Sequence, residues 1–222
     1  LYDRLPVFHQ IGAAAYKPGL DKSYQMMKRL GNPQSKYKTI HVAGTNGKGS
    51  VSHFLAAILQ SAGYKTGLYT SPHLVDFGER IRVNGAKVNP EIVVRFVENN
   101  KRYVDEVEPS FFEATMAMAF DDYAAENVDV AVIEVGLCGR LDSTNIIQPE
   151  LSVITNISFD HTQFLGDSLE KIAFEKAGII KKQTPVVVGE SLAETKPVFI
   201  QKAEAQNAPV FFAEELQPVR FL

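Results

Sequence analysis

The 222-residue sequence predicts an α/β fold, with a mostly parallel sheet covered by helices on both faces. Short apolar runs rich in β-branched residues alternate along the chain with longer stretches in which apolar residues have helical spacing. A glycine-rich turn with one lysine joins the first of these runs to a helix. The hydrophobic content of 45% is enough for one sizeable core.

Each element follows from these patterns in chain order. Strands are expected where a short run is apolar and β-branched, at 39–42, 65–70, 130–135, 151–155, 185–188 and 209–212. Helices are expected where apolar residues recur every three or four positions, over 51–59, 110–126, 168–177 and 194–205. Gly178 is a usual C-terminal stop for the third of these helices. Residues 80–85 break the rhythm and predict a strand that enters an Asn-Gly hairpin turn.

The turn after the first strand has the composition of a phosphate-binding loop. Glycines free backbone N–H groups there, and the positive end of the following helix attracts an anion. Lys48 would reach the outer phosphates, and the Ser50 hydroxyl could approach a magnesium ion. The commonest P-loop has Ser or Thr directly after its lysine, whereas here Gly49 intervenes. The residues predicted to bind ATP phosphates are Gly44, Thr45, Asn46, Gly47, Lys48, Gly49 and Ser50.

A strand-to-helix turn that uses glycines only for positive φ is the alternative interpretation. Such a turn needs one or two glycines and has no use for a lysine at the helix start. We therefore favour the phosphate loop.

Composition excludes several classes of protein. The net charge of −3 and the pI near 6.0 give no basic surface for nucleic acid. Acidic residues interrupt the apolar stretches too often for a membrane span. No charged-then-apolar leader opens the sequence, and the single cysteine, Cys138, suits a reducing compartment. A cytoplasmic protein is expected.

Polar residues follow several predicted strands, where ligands bind in an open α/β sheet. Ser71 follows the second strand, Glu134 lies near the end of a central one, and Asp160 and His161 follow the next. Oxygen and imidazole groups of this kind could hold magnesium bridging ATP to a second substrate. Ser71 alone fits a turn and His161 alone fits a helix cap. Glu134 would be costly to bury without a cation or hydrogen-bond partner.

Five motifs resemble, in the same order, the folylpolyglutamate synthase/dihydrofolate synthase branch of the Mur ligase superfamily. They are 44–50 (GTNGKGS), 70–74 (TSPHL), 134–137 (EVGL) with 139–142 (GRLD), 160–161 (DH) with 165–166 (LG), and 175–179 (EKAGI). The resemblance covers nearly the whole chain. It implies a fold of the Mur ligase central-domain type.

The resemblance also implies an ATP-dependent amide ligase. In this family ATP phosphorylates a folate or dihydropteroate carboxylate, and the amino group of L-glutamate then attacks the acyl phosphate. Cations and N–H dipoles must neutralise the anions that meet in such a reaction.

The family's roles transfer to this sequence by motif. The segment from Thr45 to Lys48 would hold the ATP phosphates. Ser71, Glu134 and His161 would ligate magnesium, and Lys176, carboxylated by carbon dioxide, would help to hold a second Mg²⁺. Without the family resemblance, Lys176 would be interpreted as a solvated surface charge on a helix. The implied catalytic residues are Lys48, Glu134, His161 and Lys176.

A pterin-binding side is implied as well. Aromatic rings can stack on a flat heterocycle, while a carboxylate accepts its N–H donors. Phe111 and Phe112 could equally be core residues that open an amphipathic helix. Arg80 and Arg82 could meet acidic glutamate groups or pair with Asp76 and Glu79. The implied substrate-binding residues are Gly19, Leu20, Asp21, Ser110, Phe111, Phe112, Glu113, Leu141, Asp142 and Ser143.

Two features depart from the family. Cys138 stands where a glycine is usual and would strain the loop if that position needs positive φ. The sequence is also short: we expect residues 1–222 to be an incomplete N-terminal ATP-binding domain, truncated before a C-terminal domain that completes the glutamate site. The piece alone would then be inactive, and the full-length enzyme is expected to be a monomer.

Two other classes remain open. A P-loop NTPase or phosphotransferase of unrelated substrate would explain the glycine-rich turn, but not the motifs at 160–161 and 175–179. A non-catalytic nucleotide-binding module would not need Lys48, Glu134 and His161 together. A Mur-type or cyanophycin-type ligase would share the phosphate loop, whereas residues 71–74 and 111–113 favour the folate branch.

Overall fold

An eight-stranded sheet organises the chain in this computed structural model, which describes residues 19–160 and 162–216. The strands are β1 Lys38–Ala43, β2 Thr66–Tyr69, β3 Ile81–Val83, β4 Ala86–Lys87, β5 Val130–Glu134, β6 Leu151–Ile154, β7 Val186–Val188 and β8 Val210–Phe212. The helices are α1 Asp21–Arg29, α2 Lys48–Ser61, α3 Pro90–Val107, α4 Phe111–Ala125, α5 Thr162–Leu165, α6 Leu169–Lys176, α7 Lys196–Ala205 and α8 Ala213–Leu216. Short 3-10 turns lie at Pro33–Ser35, Phe77–Arg80, Ser143–Ile146 and Ala177–Ile179.

The sheet is mostly parallel, as predicted. Its strand order is β4-β3-β2-β5-β1-β6-β7-β8, and only the pairs β2–β3 and β3–β4 are antiparallel. Asn84 and Gly85 have φ of 48° and 79°, which gives the predicted hairpin between β3 and β4. The parallel strands place four consecutive carboxyl ends, those of β2, β5, β1 and β6, at one edge.

Helices cover both faces because the buried strands are apolar on both sides. On one face Leu68, Val132 and Val153 pack with Ala56 of α2. On the other face, one cluster joins β2 and β5 to α4, and a second joins β6 and β7 to α6 and α7. This arrangement confirms the predicted α/β architecture.

Several local features differ from the sequence prediction. Helices α1, α3, α5 and α8 were not predicted. For α3, Asn89 accepts a hydrogen bond from the Glu91 N–H and Pro90 occupies the first turn, a recognisable helix start. Gly178 does not stop α6 through positive φ, because the chain continues into the turn Ala177–Ile179. Glycine is needed there for space: a Cβ would lie 2.4 Å from Cα of Arg140.

Within the described ranges, no helix combines the length and apolar character needed to cross a membrane.

Candidate active site

Four neighbouring strand ends bring the predicted site residues together. Gly44 follows β1, Ser71 follows β2, Glu134 ends β5, and Thr155 follows β6. Val42 of β1 pairs with Glu134 on one side and with Val153 on the other. The phosphate loop therefore lies beside the Glu134 carboxylate.

The segment after β6 holds the phosphate loop in place. Asn156 accepts hydrogen bonds from the N–H groups of Thr45 and Asn46, through its carbonyl and side-chain oxygens, both at 2.9 Å. The Thr155 hydroxyl donates to the Asn46 carbonyl at 2.6 Å. Thr45 also exchanges hydrogen bonds with the backbone of Ser158. Sequence reasoning missed these supporting residues, although their position after a central strand could have indicated them.

The backbone donors left for a phosphate begin at Gly47, two residues after Thr45, because two N–H groups of the predicted segment are already used. Asn156 already occupies the N–H groups of Thr45 and Asn46. Gly47 has φ of 80° and precedes α2, whose first N–H groups have no partner within the helix. The N–H groups from Gly47 to Ser50 at the positive end of α2 are therefore the backbone donors suited to an anion.

Two lysines converge on the same loop. The Lys48 amino group donates to the carbonyls of Gly44 and Thr45, both at 3.0 Å. Lys176, which is 2% exposed, donates to the Gly44 carbonyl at 2.9 Å. Burial, with the nearby charge of Lys48, lowers the pKa of Lys176 to about 8. Lys176 is therefore a buried amine beside the phosphate loop and not a solvated surface charge.

Glu134 is a buried carboxylate between this loop and β2. Its Oε2 accepts a hydrogen bond from the Ser71 N–H at 2.9 Å, and its Oε1 faces the position of Gly49. Burial raises the pKa of Glu134 to about 7, against the opposing effects of the Ser71 N–H and the positive charge of Lys48. The carboxylate thus gains from any cation placed beside it.

The donor set fits a magnesium ion that is held largely by phosphates. The Glu134 carboxylate and the hydroxyls of Ser71 and Ser50 are oxygen donors, which Mg²⁺ prefers. No group of three or more His, Cys, Asp or Glu in the described ranges could hold a metal by itself. His161, the remaining predicted ligand, lies outside the described residues.

A tight turn at 136–142 follows β5 and contacts the helix that carries Lys176. Asp142 accepts hydrogen bonds from Leu137 N–H at 3.0 Å and from the N–H and hydroxyl of Thr144 at 3.0 and 2.5 Å. Arg140 forms an ion pair with Glu175 at 2.9 Å. Cys138 is not among the residues with positive φ, so the strain considered for it does not arise.

The predicted pterin residues divide into two groups. Ser110 and Glu113 form a capping box at the start of α4, with bonds of 3.1 and 2.7 Å, which accounts for both without a ligand. Phe111 is buried in the core. Phe112 is half-buried, and its ring packs so closely on Gly136 that a Cβ there would lie 2.6 Å from it. Phe112 is therefore the aromatic ring best placed to meet a ligand.

The other predicted pterin residues lie on neighbouring segments. Gly19 and Leu20 precede α1, and Asp21 is exposed in its first turn. Leu141 and Ser143 flank the buried Asp142, and all three are adjacent to the turn Ser143–Ile146. Contacts of α4 with α1 and with this turn bring the segments to one side of the sheet.

Glu79 holds the loop that follows β2. Its carboxylate accepts hydrogen bonds from the N–H groups of Leu74, Val75 and Asp76, which lowers its pKa to about 2. Arg80 is buried, with its Nε donating to His73 at 2.7 Å. Arg82 donates to the carbonyls of Glu79 and Gly85. Neither arginine forms an ion pair with Asp76 or Glu79; Lys87 does.

A glycine-rich loop beside a buried glutamate and a buried lysine, at the carboxyl edge of a parallel sheet, is an arrangement typical of nucleotide-binding α/β proteins. Residues 42–217 match the family model described as Mur ligase middle domain. The chain belongs to the Mur ligase family.

Relatives that match this chain include proteins named as folylpolyglutamate and dihydrofolate synthases. It is 43% identical to the dihydrofolate synthase/folylpolyglutamate synthase of Bacillus subtilis, over 91% of this chain and 50% of the relative. A solved folylpolyglutamate synthase from Thermotoga maritima superposes with a TM-score of 0.83 at 41% identity, covering 92% of this chain and 49% of that one. An E. coli FolC structure in complex with DHPP and ADP gives 0.84 at 35% identity, covering 89% and 47%. The chain spans about half the length of these relatives.

Proposed function

We propose that this chain carries the ATP-phosphate and pteroate sites of an ATP-dependent ligase that adds L-glutamate to a folate or dihydropteroate carboxylate. The observation that carries the proposal is the convergence of Lys48, Lys176 and Glu134 on one phosphate loop. The relatives named as folylpolyglutamate or dihydrofolate synthases support the choice of substrate.

The N–H groups and the two lysines at the phosphate loop would have different roles. The N–H groups from Gly47 to Ser50 and the Lys48 amine would bind the ATP phosphates. A carboxylate is a poor electrophile until one of its oxygens becomes part of a phosphate leaving group. The substrate carboxylate and the ATP phosphate, both anions, must therefore be held side by side. The neutral fraction of Lys176 would be available to combine with carbon dioxide.

Two Mg²⁺ sites complete the proposal. Ser71 and Glu134, with His161 and the ATP phosphates, would hold the first, and the carbamate of Lys176 would help to hold the second. The ions would neutralise charge between the phosphates and the substrate carboxylate. We also propose the cytoplasm as the compartment, on the basis of the folate relatives and the single cysteine.

The pteroate site is proposed on the Phe112 side of the sheet. Phe112 would stack on the flat substrate, while Leu20, Asp21, Leu141, Asp142 and Ser143 would shape its surroundings. We assign Ser110 and Glu113 structural roles, because both side chains form the hydrogen bonds of the capping box. We also propose that residues outside this chain complete the glutamate site.

Calorimetric titration of this chain with dihydropteroate, and separately with a UDP-N-acetylmuramoyl amino acid, tests the choice of branch. The proposal predicts saturable binding of dihydropteroate and none of the muramoyl compound. The reverse result would assign the chain to a cell-wall branch of the Mur ligases. Binding of neither would remove the pteroate site from this chain.

A further inference from the structure

Arg80 is a buried cation that forms no ion pair in the described part of the chain. It is 4% exposed, its Nε donates to His73 at 2.7 Å, and its guanidinium carbon lies 5.3 Å from the centre of the Phe111 ring. Arginine has five N–H donors, so the four on the Nη atoms are without a hydrogen bond within residues 19–160 and 162–216. Burying such a group is costly unless an anion pairs with it.

Tyr69 presents a second unused donor beside it. The side chain is fully buried, and its hydroxyl has no hydrogen-bond partner among the described residues. Tyr69 ends β2, pairs with Ile81 next to Arg80, and lies with its ring 5.9 Å from that of Phe112. A phenol keeps its proton at neutral pH, so this hydroxyl is available as a donor.

We propose that Arg80 and the Tyr69 hydroxyl bind the reacting carboxylate of the pteroate-type substrate. This inference rests on the proposed function and adds to it the residues that would select an aryl carboxylate over a neutral analogue. A guanidinium and an O–H donor together match the geometry of a carboxylate.

The neighbours of these two donors favour the substrate carboxylate over an ATP phosphate. Lys48 and Lys176 already serve the phosphate loop. Arg80 lies instead over the ring of Phe111, and its charge also acts on the Glu134 carboxylate. A carboxylate held there would lie between the proposed stacking side and the proposed magnesium site.

Paired titrations with pteroate and its primary amide test this assignment, because the amide keeps the shape and removes the charge. The wild-type chain should prefer pteroate by about tenfold or more. Arg80→Gln should lose that preference while retaining affinity for the amide. Arg82→Gln removes the same charge two residues away and should keep the preference. Among the described residues, the Arg82 side chain donates to the backbone carbonyls of Glu79 and Gly85.

The outcomes separate this inference from the proposed function. An unchanged preference in Arg80→Gln, with both compounds still bound, would overturn the assignment and leave the pteroate site in place. Failure of the wild type to bind either compound would reject the pteroate site and the assignment with it. Partial recovery of the preference in Arg80→Lys would support a charge-based role.

Tyr69→Phe gives a test that does not depend on the folding of the arginine variants. The removed hydroxyl makes no hydrogen bond in the described residues, so the melting temperature should stay the same or rise. Affinity for pteroate should fall about five- to tenfold, with little change for the amide. Equal affinities in wild type and variant would contradict the role of Tyr69.

Discussion

Burial changes the protonation of the two charged side chains on either side of the phosphate loop. Lys176 has a pKa of about 8 and Glu134 a pKa of about 7, mainly because each is removed from water. Lysine and glutamate at these sequence positions would ordinarily be fully charged at neutral pH. The sequence motif identified both residues, but only their burial shows that each can exchange a proton near pH 7.

Carbamate formation on Lys176 should depend on pH through this shift. Only the neutral amine reacts with carbon dioxide, and roughly a tenth of Lys176 is neutral at pH 7 against about half at pH 8. In ¹³C-bicarbonate, a carbamate signal should appear in the NMR spectrum and grow between pH 7 and 8. Lys176→Ala should lack it, while Lys101→Ala, which changes an exposed lysine, should retain it. A signal that survives Lys176→Ala would assign the modification elsewhere.

Glu134 should make stability depend on pH in the opposite sense to an ordinary surface carboxylate. Its pKa rises from 4.5 to about 7 on folding, so between these values the folded state binds more protons than the unfolded state. The free energy of unfolding contributed by this group therefore falls as pH rises through that window. Glu134→Gln should lose less stability than wild type between pH 5 and 7 in urea titrations. Parallel curves for the two proteins would contradict the burial argument.

Gly44 and Gly49 should respond differently to alanine. A Cβ at Gly44 would lie 1.8 Å from Oγ1 of Thr155, at φ of 144°, whereas one at Gly49 would meet Oε1 of Glu134 at 3.7 Å. Gly44→Ala should cost about 2–4 kcal/mol of unfolding free energy. Gly49→Ala should change it by less than about 1 kcal/mol. Denaturant unfolding measures both, and equal effects would show that the loop relaxes around the added methyl group.

At the scale of elements, sequence patterns predicted the buried strands well. The strands β1, β5 and β6 are short and β-branched, and each was placed to within one or two residues. Helix α3 was missed because many charged residues lie among its apolar residues, so the helical spacing of the apolar positions was not recognised in the sequence. The hydrogen bonds that Asn156 accepts from the phosphate loop join residues 110 or more positions apart, and no local pattern predicts such a contact.

The capping box of α4 gives a prediction that separates structure from binding. Ser110 accepts a hydrogen bond from the Glu113 N–H, and Glu113 accepts one from the Ser110 N–H. Ser110→Ala should lower the unfolding free energy by about 1 kcal/mol and leave pteroate affinity unchanged. A loss of pteroate affinity with no loss of stability would indicate that Ser110 contacts the ligand.

At the scale of the whole molecule, the parallel sheet explains why distant motifs form one site. The motifs span residues 44–179 of the chain, yet four adjacent strands bring their ends to a single edge. Alternation of strand and helix predicted this edge from the sequence. The sequence could not predict which backbone N–H groups remain free, since that depends on how Asn156 packs against the loop.

Titration with Mg-ATP by calorimetry, followed by dihydropteroate, tests the central claim that one edge of the sheet holds both ligands. The wild-type chain should bind both. Lys48→Ala should weaken Mg-ATP by at least about tenfold and leave dihydropteroate bound, because a charge-assisted contact to phosphate is lost. Lys101→Ala, an equal change of charge on α3, should bind both as wild type does. Mg-ATP binding that is unaffected by Lys48→Ala would contradict the assignment of this loop to the phosphates.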